Sequence, residues 1–519
     1  MTHAAQGLAN DRIAVKFSEQ GGSFKHMVSR RAFLSGVFAS FGTAARAFAP
    51  ETSIRPVLRP GGISQRGLPD AADLIAQANL GGRVGFAVAD AQSGQMVETF
   101  FPLFALPPAS VTKVLTGAYA LDRLGRDFRF RTRFAALGAV NNGHLRGDLW
   151  LIGAGDPLFD TDALVRMVQN LRDGGIRTIT GRLMIAHGAL PQFFEIDSSQ
   201  PDHVGYNPAI SGLNLNFNRV HFEWRRTSSD CFVTMDARSD TIRPTVDMAQ
   251  MHIANRVLPV YTYDQQGDQD HWTVARDALG EGGARWLPVR RPEVYAAQAC
   301  RSILHSHGIA VQGLGYAPTA LVDSVTLTEH VSDPLPDILR GMLRWSTNLT
   351  AEVVGLRATQ AGGVHPTMLA ASATAMGAWA QNNLGPHQSV FVDHSGLSGE
   401  SRVCPKDMVR ALLAVGGNNS VRTLMRTLTI DPEDDAPSNA VPIEVVAKTG
   451  TLNFVSSLAG YIATPGGRDL VFAIFCADVP RRAVLTQAER ERPEGGRTYT
   501  TRARRLQRAL IRRWVSAYG

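Results

Sequence analysis

A serine and a lysine lie three residues apart in the stretch LPPASVTKVLT, which covers residues 106 to 116. If a helix begins here, Ser110 and Lys113 share one of its faces, so the lysine amine can reach the serine hydroxyl. The positive potential at a helix N-terminus favours an oxyanion and a neutral amine. A neutral lysine can act as the general base of a serine nucleophile. The alternative is a helix-capping serine beside a surface lysine.

Two later stretches contain side chains that would complete such a site. RWSTNLTAE contains Ser346 and Asn348, and VAKTGTLNF contains Lys448, Thr449 and Gly450. Acyl transfer needs a nucleophile, a route for a proton to the leaving amine and donors for the oxyanion. In this interpretation Ser346 relays a proton to the leaving amine. The Asn348 amide holds the general base and the substrate backbone.

The lysine-threonine-glycine stretch predicts a carboxylate site beside a strand. Lys448 would attract a substrate carboxylate, Thr449 would donate a hydrogen bond to it, and Gly450 would leave room for a substrate along the strand edge. Each stretch also has a structural interpretation. Ser346 and Asn348 would serve as helix caps, and the third stretch would be a strand end and turn. The appearance of all three stretches together favours the catalytic interpretation.

Local patterns predict the elements that must position these residues. Two prolines before Ser110 favour an extended entry to a helix, apolar residues then recur at helical spacing, and Gly125 is a stop signal. The helix is therefore predicted to begin near Ser110 and to end at Gly125. Its apolar face is expected to pack into a core.

Strands are predicted near both ends of the chain. RVGFAVADAQSGQMVETF indicates a hairpin that turns at Ser93 and Gly94, and EVVAKTG, FVSSLAGYIAT and DLVFAIFCADV indicate consecutive strands. The last helical pattern has an apolar stripe of Leu506, Leu510 and Trp514. We therefore predict one antiparallel sheet flanked by helices, with strands from both ends of the chain.

The middle of the chain has a different pattern. Short strand-like segments with glycine and proline turns dominate it, such as GIRTITGRLMIA. The predicted fold class is α+β, with a discontinuous domain of residues 50–136 and 316–519 and a large, mostly β insert at 137–315. Within the insert, GAGDPL lacks the third glycine of a dinucleotide-binding loop and has no recognisable βαβ pattern around it, so we predict a turn there.

The composition is that of a globular protein, because 44% of the 519 residues are hydrophobic and 19% are charged. The formal net charge is +7, and residues 481 to 519 alone contain eleven arginines and three glutamates. The basic balance is therefore a terminal feature and does not indicate nucleic-acid binding. In the last helix, arginines are interleaved with the apolar stripe. They favour a solvated helix face over the alternative, a weak contact with an anionic membrane or wall polymer.

The N-terminal segment has the pattern of an export signal. SRRAFLSGVFASFGTAARAFA has paired arginines, Arg30 and Arg31, followed by a short apolar stretch and a small-x-small end. The pattern resembles a bacterial twin-arginine signal within residues 1–49 and predicts an exported, periplasmic protein. Met27 is an alternative start of the chain, and a chance arginine pair is the alternative interpretation. No later run approaches the roughly 20 apolar residues that span a bilayer.

Cysteine and histidine spacing gives no metal site. The four cysteines form no CxxC pair. Cys231 and Cys300 would be able to form a disulfide in an oxidising compartment, although the sequence leaves this open, and Cys476 is predicted to be a buried thiol. His305 and His307 lack a third ligand at suitable spacing, so a surface turn is predicted for them.

The three ordered motifs resemble those of serine penicillin-recognising enzymes. Their spacing is similar to that of the D-alanyl-D-alanine carboxypeptidases/endopeptidases among the class C low-molecular-mass penicillin-binding proteins, the penicillin-binding protein 4 type. In that family a large insert separates the first two motifs. GDLWLIGAGDPLF, ISGLNLNFNRV, DHSGLSGES and AKTGTLNFVSSLAGY also resemble family stretches. The chain departs from the family at His394, where a glycine is usual. We expect His394 to fill a turn rather than to contact substrate.

The resemblance implies a penicillin-recognising serine transpeptidase/β-lactamase-like domain that acts on peptidoglycan stem peptides. The enzyme would release terminal D-alanine or cut a D-alanyl–diaminopimelyl cross-link, and β-lactams would acylate Ser110. The backbone N–H groups of Ser110 and Thr451 would form the oxyanion hole. No metal or organic cofactor is implied. A β-lactamase-like hydrolase and a non-catalytic cell-wall binding protein are the alternatives.

Overall fold

The computed structural model describes residues 68–227, 231–319, 323–385, 388–417, 420–431 and 442–519. The predicted export signal at residues 1–49 lies outside the described residues. In chain order, the first described elements are α1 (Ala71–Ala78), β1 (Arg83–Asp90), β2 (Met96–Phe100) and α2 (Thr112–Leu124). Among the described residues, no helix is both long enough and apolar enough to cross a membrane.

The middle of the chain is built mainly from short strands. Its elements are β3 (Arg131–Ala136), β4 (Val140–Asn141), β5 (His144–Leu145), β6 (Leu149–Ile152), α3 (Thr161–Asp173), β7 (Thr178–Ile179), β8 (Arg182–Ala186), β9 (Arg219–Arg226), β10 (Cys231–Asp236), β11 (Ala249–Ala254), β12 (Tyr261–Gln266), β13 (Gln269–Ala275), β14 (Gly282–Pro288), α4 (Pro292–Ser306), β15 (Gly313–Ala317) and β16 (Val325–Val331). A five-stranded sheet has the order β15-β8-β6-β3-β16. Because it includes β3 and β16, this sheet extends beyond both 137 and 315, and these insert boundaries stay a prediction.

The remaining elements return to the catalytic part of the chain. They are α5 (Leu335–Trp345), α6 (Asn348–Ala361), α7 (Leu369–Asn383), α8 (Pro405–Val415), β17 (Arg426–Ile430), β18 (Ile443–Leu452), β19 (Val455–Ala463), β20 (Asp469–Ala477), α9 (Val479–Ala483) and α10 (Gly496–Tyr518). A six-stranded sheet has the order β17-β18-β19-β20-β1-β2, and every neighbouring pair in it is antiparallel. The predicted sheet with strands from both chain ends is thus confirmed.

Helices cover both faces of this sheet, because successive side chains of a strand point to opposite faces. On β1, Ala87 packs into a core formed with α2 and α5 to α8. Its neighbour Phe86 packs into a separate core with α1 and α10. There, the Trp514 ring lies 5.3 Å from the Phe86 ring and 5.8 Å from the Phe472 ring. The predicted apolar stripe of the last helix is buried as expected.

The loop GAGDPL follows β6, and the prediction that no βαβ pattern surrounds it is wrong. The helix α3 follows the loop, and β8 then pairs with β6 in parallel. Asp160 caps α3 by accepting a hydrogen bond from the Ala163 N–H at 2.7 Å. The loop itself bends at Gly155, which has φ +88°. The helix was not predicted because the segments on either side of it are short and strand-like.

All four cysteines lie among the described residues as buried thiols, and Cys231 and Cys300 do not form the disulfide that the sequence left open. Cys300 lies within α4, whereas Cys231 begins β10. Cys476 is fully buried in β20, as predicted, and burial raises the pKa of its thiol to about 12. This thiol is therefore protonated at neutral pH.

Candidate active site

Ser110 lies in a sharp turn at the start of α2. A single 3₁₀ turn covers Ala109–Val111, and the α-helix begins at Thr112. Ala109 has φ +47°, a left-handed conformation that is uncommon outside glycine. The chain thereby changes direction between the two prolines and the helix, which ends at Leu124 with Gly125 as its C-cap. The predicted start and end of this helix are confirmed.

Two glycines let other segments pack directly against this turn. An ideal Cβ on Gly450 of β18 would lie 2.6 Å from the Pro108 carbonyl oxygen and 3.0 Å from the Ser110 nitrogen. A Cβ on Gly396 would overlap the Ala109 carbonyl oxygen, and Gly396 has φ +71°. Only glycine combines this close approach with a left-handed backbone. Gly450 thus brings the strand against the nucleophile turn, in addition to its predicted role of leaving room for substrate.

Lys113 is fully buried directly behind Ser110. Its Nζ lies 3.0 Å from Ser110 Oγ, and it donates hydrogen bonds to Asn348 Oδ1 at 2.7 Å and to the Ser395 carbonyl oxygen at 2.6 Å. Burial, followed by the nearby positive charge of Lys448, holds the pKa of Lys113 well below its usual range. A neutral amine with two acceptors engaged turns its lone pair towards the Ser110 hydroxyl. This geometry suits a general base.

A second lysine–serine pair adjoins the first. Lys448 Nζ donates to Ser346 Oγ at 2.9 Å and to the Thr449 carbonyl oxygen at 2.8 Å. Burial lowers the pKa of Lys448 to about 8. Ser346 ends α5 with φ +60°, and its side chain accepts from Lys448. No side-chain hydrogen bond caps α6, so the alternative of a purely helix-capping pair does not describe Ser346 and Asn348.

The unpaired edge of β18 faces the nucleophile turn. Among the described strands, β17 pairs with β18 only from Ile443 to Ala447. Beyond Ala447, the segment Lys448–Leu452 pairs with β19 on one side only. Among the described strands none pairs with its other side, which forms an edge on which an extended peptide could lie as an added strand.

A cleft of about 860 Å³ opens in front of Ser110. It is lined by predicted site residues from the first two motifs, by Thr451 directly after the third, and by insert residues such as Tyr206, whose carbonyl oxygen accepts from Asn348 Nδ2 at 2.9 Å. Its lining residues include Ser110, Gln200, Tyr206, Ser346, Asn348, Thr451, Asn453, Arg482, Arg490 and Arg504. Thr449 and Gly450 line an adjoining cavity instead. The predicted residues therefore converge on one place, with Thr449 at its margin.

Two buried carboxyl groups beneath the site were missed as functional residues. Asp393 accepts from the N–H groups of Gly396 and Ser398, both at 2.7 Å. Glu352 on α6 accepts from the Ser395 N–H at 2.8 Å and from the preceding N–H group, that of His394, at 3.1 Å. Together they hold the loop that presents the Ser395 carbonyl to Lys113. The sequence signals were an acidic residue within the apolar start of α6 and, for Asp393, its position at the start of the family-like stretch DHSGLSGES.

Burial dominates the electrostatics of these two acids. It raises the pKa of Glu352 to about 8, with a further contribution from the negative charge of Asp393. It raises the pKa of Asp393 to about 6, whereas the two N–H donors oppose the rise. One of the two carboxyl groups is therefore protonated near neutral pH, since two adjacent buried charges repel each other.

His394 is fully buried and lies outside the lining of the cleft. Its Nε2 lies 2.8 Å from Ser372 Oγ, and its ring covers Gly355, where any Cβ would overlap it. Burial lowers the pKa of His394 to about 3. The ring therefore fills space behind the loop, as predicted, and it is neutral at physiological pH.

Residues 69–491 match the model of the D-Ala-D-Ala carboxypeptidase 3 (S13) family. The chain belongs to this family. It is 25% identical over 453 residues to D-alanyl-D-alanine carboxypeptidase DacB of Haemophilus influenzae, a match that covers 81% of the chain and 92% of the relative. It is 27% identical over 421 residues to the D-alanyl-D-alanine carboxypeptidase of Actinomadura sp. strain R39, covering 75% and 77% respectively.

The fold is similar to that of penicillin binding protein 4 (dacB) from H. influenzae. That crystal structure aligns with a TM-score of 0.67 at 22% identity and covers 83% of this chain and all of the other. The predicted fold class and family are thereby confirmed, as is the prediction of a serine-type D-Ala-D-Ala carboxypeptidase. The roles of individual residues stay predictions.

Proposed function

We propose that the protein cleaves peptidoglycan stem peptides through a covalent intermediate on Ser110. The observation that carries this proposal is the contact of Ser110 Oγ with the buried amine of Lys113 at 3.0 Å. The low pKa of Lys113 supplies a neutral base. The second pair, in which Lys448 Nζ donates to Ser346 Oγ at 2.9 Å, would serve the leaving group.

Acylation uses these groups in sequence. Ser110 Oγ attacks the carbonyl carbon of the penultimate D-alanine, and its proton moves to Lys113 Nζ. The backbone N–H groups of Ser110 and Thr451 stabilise the oxyanion, and each such donor contributes about 3 kcal/mol to transition-state binding. The C–N bond then breaks, and the departing amine takes a proton through the Ser346 hydroxyl. The Ser346 hydroxyl then takes the proton that Lys113 received from Ser110, so every proton is accounted for and both lysines return to their starting state.

Deacylation regenerates the serine. A water molecule attacks the acyl carbon and gives a proton to Lys113, and the Ser110 oxygen leaves with a proton from the same amine. During binding, Lys448 and Thr449 hold the carboxylate of the leaving D-alanine, and Asn348 positions the acyl peptide. When the leaving amine belongs to a second stem peptide, the same steps make the enzyme a DD-endopeptidase.

β-Lactams are proposed inhibitors that acylate Ser110. The penicillin binding protein 4 of H. influenzae has been solved in complex with a β-lactam, and its fold aligns with this chain at a TM-score of 0.65. A β-lactam presents a strained amide carbonyl where the peptide carbonyl would lie. The resulting ester keeps the amine tethered, which disfavours its replacement by water.

The proposed location is the periplasm, reached through the twin-arginine pattern near the N-terminus. A weak contact of α10 with an anionic membrane or wall polymer is less favoured. Several α10 arginines are engaged within the fold: Arg502 donates to the Asn79 carbonyl, Arg512 to the Asp431 carbonyl and Arg513 to Glu98. This leaves a limited part of the helix for an outside partner.

Intact mass spectrometry with benzylpenicillin tests the proposal. We expect one stable adduct on the wild type and none on a Ser110→Ala variant, together with release of D-alanine from a stem pentapeptide by the wild type alone. Drug turnover without an adduct would instead identify a β-lactamase. An unmodified protein with intact drug would favour a non-catalytic wall-binding protein.

A further inference from the structure

A second cavity, of about 540 Å³, adjoins the active-site cleft. It is bounded by β17, β18, β19 and α10, and it reaches the unpaired edge of β18. Thr449 and Gly450 line it, and Thr451 and Arg504 line both it and the cleft. The two cavities therefore meet along the strand edge that faces Ser110.

The second cavity is strongly basic. Arg426, Arg504 and Arg508 line it, whereas no aspartate or glutamate stands among its described lining residues. All three arginines are exposed. Their guanidinium groups form no hydrogen bond or ion pair with any other residue that the structure describes. Three cations that no described acidic side chain compensates surround a concave surface and create a positive potential that attracts carboxylates.

The position of Thr449 indicates which part of a substrate would reach this cavity. In the proposed reaction, Lys448 and Thr449 hold the carboxylate of the leaving group. Thr449 lines the second cavity and not the cleft. The acyl part of the substrate is left to the cleft, beside Tyr206 and Asn348. Anything attached to the leaving amine beyond its own carboxylate therefore extends towards the arginines.

We propose that this cavity is a subsite for the leaving strand of a cross-linked substrate. In a monomeric stem peptide the leaving group is a single D-alanine, which ends at Thr449. In a cross-linked dimer it is a whole second stem peptide with further carboxylates. Arginine binds such groups through paired N–H donors. The inference rests on the proposed function and adds a structural basis for endopeptidase selectivity.

The test compares cleavage of two substrates by the purified protein. One is a stem pentapeptide that ends in D-Ala-D-Ala, and the other is a cross-linked dimer of stem peptides. The variant is Arg426→Ala/Arg508→Ala, which spares Arg504 because that residue also lines the cleft. Arg505→Ala is the matched control, since Arg505 is exposed on the same helix but does not line the cavity. The readout is the ratio of kcat/KM for the dimer to that for the pentapeptide.

Removal of two exposed charge contacts should lower this ratio about tenfold in the double variant. The control should keep the wild-type ratio, and Arg426→Lys/Arg508→Lys should recover part of the loss because the charges return. An unchanged ratio in the double variant would overturn the inference, as would a wild type that releases D-alanine but never cleaves the dimer. A wild type that neither releases D-alanine nor reacts with benzylpenicillin would overturn the proposed function itself.

Discussion

Replacing Gly450 by alanine tests whether close contact between β18 and the nucleophile turn is needed for catalysis. The new Cβ would lie 2.6 Å from the Pro108 carbonyl oxygen and 3.0 Å from both Ala109 Cβ and the Ser110 nitrogen. None of these atoms is the end of a flexible side chain, so the strand and turn must separate. Overpacking of this kind costs about 1–3 kcal/mol of unfolding free energy. A displacement of about 1 Å at the reacting groups lowers the rate about 100-fold.

The assay is the second-order rate of acylation by benzylpenicillin, followed by intact mass at several times, together with urea unfolding. Gly341→Ala in α5 is the matched control, because its ideal Cβ meets no atom within 4 Å. In that helix interior, alanine should raise the unfolding free energy by about 0.5–1 kcal/mol and leave acylation unchanged. A Gly450→Ala enzyme that acylates at the wild-type rate would refute the reasoning.

Two further predictions follow from the buried charges. The pH profile of kcat/KM should rise as Lys113 becomes neutral and should fall as pH passes about 8, where Lys448 loses its proton. Steady-state D-alanine release across pH measures this, and a profile that keeps rising beyond the Lys448 pKa would contradict it. Asp393→Asn should lower the unfolding free energy by about 1–3 kcal/mol, because one of two N–H groups loses its acceptor. Urea unfolding measures the loss, and an unchanged midpoint would show that the loop does not depend on the carboxylate.

Much of the fold followed from local patterns. The α2 helix has an apolar face, a proline entry and a glycine stop, so its bounds were predictable from about a dozen neighbouring residues. The hairpin of β1 and β2 was equally local. The unit of β6, α3 and β8 was not predicted, although α3 has an N-cap at Asp160 and an apolar stripe. Its parallel strands, β6 and β8, are separated in the chain by α3, and no local pattern predicts that they pair.

In the candidate site, too, some residues were predictable from local sequence patterns and others were not. The residues of the three motifs were predicted from the sequence because each motif is short and its residue types indicate a chemical role. Glu352, the Ser395 carbonyl and the Tyr206 carbonyl were not chosen. The contact of Lys113 with Ser395 spans 282 residues of chain, and a backbone carbonyl has no residue type to mark it. Such partners become visible only once the chain is folded.

By itself, the sequence determined which nucleophile, base and carboxylate-binding residues the protein has, and which family it resembles. Only the tertiary structure decided that Lys113 loses contact with solvent, that Gly450 touches the turn of Ser110, and that Thr449 faces a basic cavity. The physical reason is that residue identity supplies a functional group, whereas its pKa and neighbours depend on burial. Burial arises from packing between segments that lie hundreds of residues apart.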